Sequence, residues 1–396
     1  MGFDRSMNLD RRLTIVLTLK GRALFTFRWM AYANRVKVPF KILIADGGND
    51  TEVTEVLSHK DNFPDIEYEY VRYPFDKTYL DYYTKLHDAV SQVKTPFVLM
   101  ADNDDFYLVE SIKQSIDFLQ DHQDYSTCRG NLCRFSVKPS EKYGCLSKVY
   151  GDYIAIRGSY KNSSILSGSA KERIHEHFLQ YSPTYYDIHR TEQLKPCFQK
   201  LEELNLKNIF LAELLTSLLT VALGKVKRNP YLYLMRQIGN ASVAVSESQK
   251  ADFFDQMLVE SWSEDFSKFV KAIGAAIAIQ DKISEDEAQG IVKKAYRRYI
   301  DCHISNHSSN FHKIKNQNSH GIKRVRELIG TLKYNSKARE ILRTSYSNSP
   351  NLIKSRLRRW HLNIDEPSYA DVKPVYDFLT SAPPSLGCDA ISGGSQ

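Results

Sequence analysis

The segment FVLMADNDDFY, residues 97–107, sets Asp102, Asn103, Asp104 and Asp105 directly behind an apolar run. Carboxylates this close repel one another, so the cluster needs a cation, a shared proton or full solvation. Asp102 and Asp104 stand two apart, which in an extended segment puts them on one face. Hard carboxylate oxygens at that spacing favour Mg2+ or Mn2+. A DxD spacing also arises by chance, and Asp or Asn ahead of a helical stretch often caps it. Asp105 is read as such a cap. Asp102 and Asp104 are read as metal ligands because an apolar strand delivers them.

That strand belongs to a regular series. LTIVLTL (13–19), FKILIAD (40–46), IEYEYVRY (66–73) and PFVLMAD (96–102) read as strands, separated by amphipathic stretches with helical spacing. Alternating strands and helices predict a parallel sheet with right-handed crossovers. Open parallel sheets bind ligands beyond the carboxyl ends of their strands. Thr18, Lys20 and Arg22 follow the first strand, Asp46 with Gly47 and Gly48 the second, and the aspartate cluster the fourth. Cations suit phosphate, and glycines allow close backbone approach. Carboxylates would repel phosphate unless a divalent metal sits between, so carboxylate, metal and pyrophosphate together explain both signs in one crevice.

Farther along, NIFLAELLTSLLTVALG places Glu213 as the one charged residue between Lys207 and Lys225. A carboxylate in so apolar a helix is expected to be desolvated, with a raised pKa suited to a general base. The plainer reading is a glutamate near a helix N-terminus, favoured by the dipole. Arg236 follows in the next strand, where it is a candidate for the diphosphate or an ordinary surface arginine.

Taken in order, LTLKGR, IADGGND, YYTKLHDAV and MADNDD make the chain resemble a GT-A-fold nucleotide-sugar glycosyltransferase, similar to the family 2 group. The resemblance spans about residues 10–240. It implies a Rossmann-like, mostly parallel sheet flanked by helices, and a metal-dependent transfer from a nucleoside-diphosphate sugar, a UDP-sugar, to an acceptor hydroxyl with inversion. It gives Asp46 contact with the base, Arg22 and Lys85 contact with the diphosphate, Asp102 a place near ribose and metal, and Asp104 a place on the metal. Thr18, Lys20, Asn103 and Arg236 complete the expected nucleotide-sugar site, with Glu213 as the base. Departures are Leu214 for a second acidic residue, Ala45 before Asp46, and Leu19–Lys20 for an aromatic–asparagine pair. The competing readings are a sugar-nucleotide nucleotidyltransferase and a non-catalytic binding module. The first needs a glycine-rich loop, and LTLKGRALF has one glycine.

The totals agree with this frame. The chain has 396 residues, 42% of them hydrophobic, enough for a sizeable core. A net charge of +7 with interspersed signs is a mild bias, not the basic stripe of a nucleic-acid binder. Six cysteines without a CxxC pair point to a reducing, cytoplasmic setting. Residues 1–248 are expected to form the transferase domain, 249–380 a helical C-terminal domain, and 381–396 a disordered tail. The helical region suits acceptor binding, a homo-oligomer or membrane docking. IKSRLRRWH (353–361) and KKAYRRY are basic-aromatic and suit either an anionic inner membrane face or a solvated helix face. The acceptor would be a glycan, a lipid-linked species or a protein, as in surface glycan or glycoconjugate synthesis. His175, His177, His189 and Arg190 are candidates for acceptor, phosphate or metal contact, with a structural role the usual fate of a lone histidine. Cys302, His303, His307, His312 and His320 lie close in sequence, but no HExxH pattern accompanies them, and zinc is set aside.

Overall fold

The computed structural model describes residues 9–160, 163–239, 257, 259–315, 369–381 and 383. The chain divides into two compact units. Met1–Gly130, Asn162–Asn229 and Asn240–Ile304 make the first; Asn131–Lys161, Pro230–Gly239 and Ser305–Gln396 make the second. The boundary expected after residue 248 lies outside the described residues. So do His320, the 353–361 stretch and nearly all of the expected tail.

In chain order the strands and helices are β1 Leu13–Leu19, α1 Ala23–Arg35, β2 Lys41–Asp46, α2 Thr51–Ser58, β3 Tyr68–Arg72, α3 Tyr79–Ser91, β4 Phe97–Asp102 and β5 Asp105–Tyr107. Next come α4 Val109–Asp121, β6 Tyr125–Pro139, β7 Gly151–Tyr160, α5 Ala170–Leu179, β8 Ile188–Arg190, α6 Thr191–Leu204, α7 Ile209–Leu223 and β9 Lys225–Gln237. The remaining helices are α8 Trp262–Asp281, α9 Glu285–Lys315 and α10 Tyr369–Thr380.

The first unit is mixed α/β. Its parallel core runs β3-β2-β1-β4, and β8 and then β6 add antiparallel. Leu13, Ile15, Val16 and Leu17 are all buried. A strand covered on both faces has no polar side to present, which is why it reads as a continuous apolar run. The parallel register sets Thr18 opposite both Ala45 and Asp102, Leu19 opposite Asp46, and Asp46 opposite Arg72. The ends of four strands therefore share one edge.

Helix α3 starts on a capping box, with Thr78 Oγ1 accepting from Asp81 N and the Asp81 carboxylate accepting from Thr78 N. Helix α7 is apolar on nearly all sides because it is surrounded: α5, α6 and α8 pack on it. Helix α8 also fixes the start of α7. Its buried Asp265 accepts from the backbone N–H of Lys207 and of Asn208, the N-cap of α7, at 2.9 and 2.8 Å. In the second unit, Leu132–Pro139 of β6 pairs antiparallel with β7, and α10 packs on β7 with Phe378 5.7 Å from the Tyr150 ring. Among the described residues no helix is long and apolar enough to cross a membrane.

One expectation gives way. The DNDD cluster does not lead directly into a helix: β5 intervenes, Leu108 is the N-cap of α4, and Asp105 is a fully buried strand residue. Asp105 is therefore not a helix cap. Residues 181–187 form a loop, and Ile188–Arg190 after it enters the sheet.

Candidate active site

The turn after β1 is tight. Gly21 has φ +74° and Arg22, the N-cap of α1, has φ 66°. Two successive left-handed residues turn the chain sharply, and the arginine pays a steric cost there that glycine does not. The turn after β2 presses against it, since a Cβ on Gly48 would sit 2.7 Å from Gly21 N. Gly48 is thus demanded by close approach. The Arg22 guanidinium stacks 4.1 Å from the Phe25 ring centroid and donates to Asp104 Oδ2 at 3.0 Å. Lys20 is exposed, 5.5 Å from the ring of Phe75, itself an exposed aromatic.

Asp46 is buried, and three donors converge on it. Gly48 N donates to Oδ1 at 2.8 Å, and Tyr70 OH and Arg72 Nη1 donate to Oδ2 at 2.7 and 2.6 Å. Lys85 is also buried, and its ammonium donates to the carbonyl of Leu19 at 2.8 Å and pairs with buried Asp76. Burial pushes the Asp76 carboxyl up and the Lys85 ammonium down, against the attraction between them. Lys85 thus holds the end of β1, just before the turn that carries Lys20 and Arg22.

Asp102, Asp104 and Asp105 each offer one carboxylate oxygen, and the three oxygens lie within 4.8 Å of one another. Asp104 and Asp105 are buried and Asp102 is half-buried. Three hard anionic oxygens gathered at the end of a strand are a donor set that fits Mg2+ or Mn2+. Tyr186 OH donates to Asp102 Oδ2 at 2.7 Å, and Thr18 Oγ1 lies 3.5 Å from Asp102 Oδ1. Tyr185 OH is 3.3 Å from Thr18 Oγ1 and 3.4 Å from Tyr82 OH. Burial pushes both of those phenols upward, so they remain hydrogen-bond donors at neutral pH. Asn103 turns the other way, donating to Thr26 Oγ1 at 3.0 Å in the core.

Glu213 sits in the second turn of α7 and is exposed. The expectation of a desolvated carboxylate fails here. The helices that bury α7 cover Leu211, Ala212, Leu214 and Leu215, whereas Glu213 falls on the uncovered side. Its carboxylate accepts from Tyr181 OH at 2.9 Å.

No protein-family profile matches the chain, and no curated protein matches it. Solved structures do show likeness. Residues 1–349 of S. aureus TarS are 15% identical, with 81% of this chain and 80% of that one covered and a TM-score of 0.42. The same fragment in complex with UDP-GlcNAc is 14% identical over 73% of each chain, with a TM-score of 0.42. Its complex with UDP is 14% identical over 73% of this chain and 72% of that one, with a TM-score of 0.41.

The sheet edge thus brings together Thr18, Arg22, Asp46, Asp102 and Asp104 through strand register and direct contacts. Arg236 lies on β9 within the second unit. His177 and His189 are buried, and His189 pairs with the carbonyl of Thr184. Arg190 donates to the carbonyls of Leu119, His122 and Tyr125. His175 is exposed.

Four site residues escaped the sequence reading. Arg72 closes β3 beside Asp46, and the rule about strand ends, applied to IEYEYVRY as to the other strands, would have named it. Asp105 reads in sequence as a helix cap, because the three-residue β5 that holds it is too short to show a period. Tyr181 and Tyr186 lie on an aperiodic loop, and only the tyrosine richness of YSPTYYD could have flagged them.

Proposed function

We propose that the chain is a metal-dependent glycosyltransferase that moves a sugar from a UDP-sugar to an acceptor hydroxyl with inversion. One observation carries this reading: the parallel register gathers Asp46, Asp102 and the Asp104–Asp105 pair, with Arg22 and Arg72, on one strand-end edge. That edge has the cations for a diphosphate and the hard oxygens for the cation that must accompany it. Asp102, Asp104 and Asp105 would hold Mn2+ or Mg2+. Bound there, the ion supplies neutralising charge for the diphosphate.

The chain's own groups do the rest. Arg22, prepositioned by its left-handed turn, swings from Asp104 to the diphosphate. Asp46 and Arg72 border the nucleoside end, and Thr18 with Tyr186 fixes the rotamer of Asp102. Lys85 keeps the β1 end in place, and Lys20 adds positive charge beside Phe75. Glu213, exposed and so reachable, takes the proton of the attacking hydroxyl. The acceptor class is a hydroxyl on a glycan, a lipid-linked species or a protein.

The test is UDP release from UDP-glucose, UDP-galactose and UDP-N-acetylglucosamine, with MnCl2 and with EDTA. Release that needs Mn2+ supports the assignment. No metal-dependent binding or turnover with any donor overturns it.

A further inference from the structure

We propose that Tyr181 is a positioning residue for Glu213, held by a loop that registers the acceptor side of the site against Asp102; this rests on the transferase reading above. The loop 181–187 touches both halves of the site. At its start Tyr181 OH donates to Glu213 Oε1 at 2.9 Å. In its middle Thr184 N donates to Ser217 Oγ, one turn farther along α7, at 3.2 Å. At its end Tyr185 meets Thr18, and Tyr186 donates to Asp102.

The loop is pinned rather than draped. Asp187, fully buried, forms ion pairs with Arg129 and Arg228, each at 2.8 Å, and accepts from Thr127 Oγ1. Arg129 also donates to Ser182 Oγ at 2.8 Å. This buried carboxylate, held by two guanidiniums, ties the end of the loop to β6 and β9. The Tyr181 ring is braced by two others: the His177 ring of α5 lies 5.2 Å away and the Tyr299 ring of α9 5.7 Å away, both edge-on. Helices α8 and α9 thereby gain a role. One anchors the start of α7 through Asp265, and the other braces the tyrosine that holds its glutamate.

An exposed glutamate has several rotamers available, and only some aim its oxygen at an acceptor. A single donor on a braced ring selects among them and leaves Glu213 Oε2 to the acceptor.

The test uses the full chain with MnCl2, the UDP-sugar that turns over in the panel above, and water as acceptor, reading UDP release. Tyr181→Phe keeps the ring and its braces. It should lower kcat about 10-fold while KM for the donor and UDP affinity stay within about twofold. A wild-type kcat overturns the positioning role alone, provided Glu213→Gln still abolishes release. If Glu213→Gln releases UDP at the wild-type rate, the base assignment fails and the positioning role with it. No release from any donor overturns the transferase reading itself.

Discussion

At the scale of single residues, the site pairs groups that are costly to hold with groups that can reach a ligand. Arg22 occupies a left-handed conformation that disfavours a side chain, yet its guanidinium faces Asp104. Arg22→Gly should leave stability unchanged or raise it by up to about 1 kcal/mol in urea unfolding. It should also weaken UDP binding in the presence of Mn2+ by about 10-fold or more, as loss of a charge-assisted contact does. Isothermal titration would read the second effect. Glu213 is the complementary case, on the exposed side of its helix. Glu213→Gln is isosteric and should keep UDP affinity while lowering transfer by about 100-fold to 10,000-fold, the usual weight of a general base. Its burial could not be read from its neighbours in sequence. An apolar run says that most of a helix is covered, not which side is left open, and here the open side carries the glutamate.

At the scale of elements, the strands were legible and their partners were not. The apolar runs at 13–19 and 97–102 predict β1 and β4 closely, because burial on both faces demands side chains of one kind. The three-residue β5 was invisible, since DFY has no room for a period and its preceding aspartates read as a cap. Helix α7 depends on a contact far away in the chain. Asp265 on α8 satisfies two N–H groups at its start, which the sequence of α7 alone leaves open. Asp265→Ala should cost about 1–2 kcal/mol of stability, measured as a lower urea midpoint. Turnover should fall as well, because the first turns of α7 carry Glu213. A stable, fully active Asp265→Ala protein would show that α8 does not fix this helix start.

At the scale of the molecule, acid should weaken the fold through its buried histidines. Burial lowers His177 from 6.5 to about 3 and lowers His189 in the same direction. A histidine with a folded value below its unfolded one stabilises the fold fully above the unfolded value. That stability is lost as pH falls through the interval below it, at up to about 1.4 kcal/mol per pH unit for each group. Unfolding free energy should therefore drop between pH 7 and pH 5, and less steeply in a His177→Gln protein; an unchanged slope would remove His177 as a cause. The sequence by itself determined the alternation of strand and helix, and with it the list of groups that follow each strand: Thr18, Lys20, Arg22, Asp46, Asp102 and Asp104. Local physics suffices there, because apolar periodicity fixes a strand and its end fixes what comes next. Only the tertiary structure decided that these ends align in register, that Asp105 joins the carboxylate group, that Glu213 faces outward, and that Tyr181 and Tyr186 reach back to it and to Asp102. Those outcomes depend on which distant segments cover which face, and no local pattern encodes that choice.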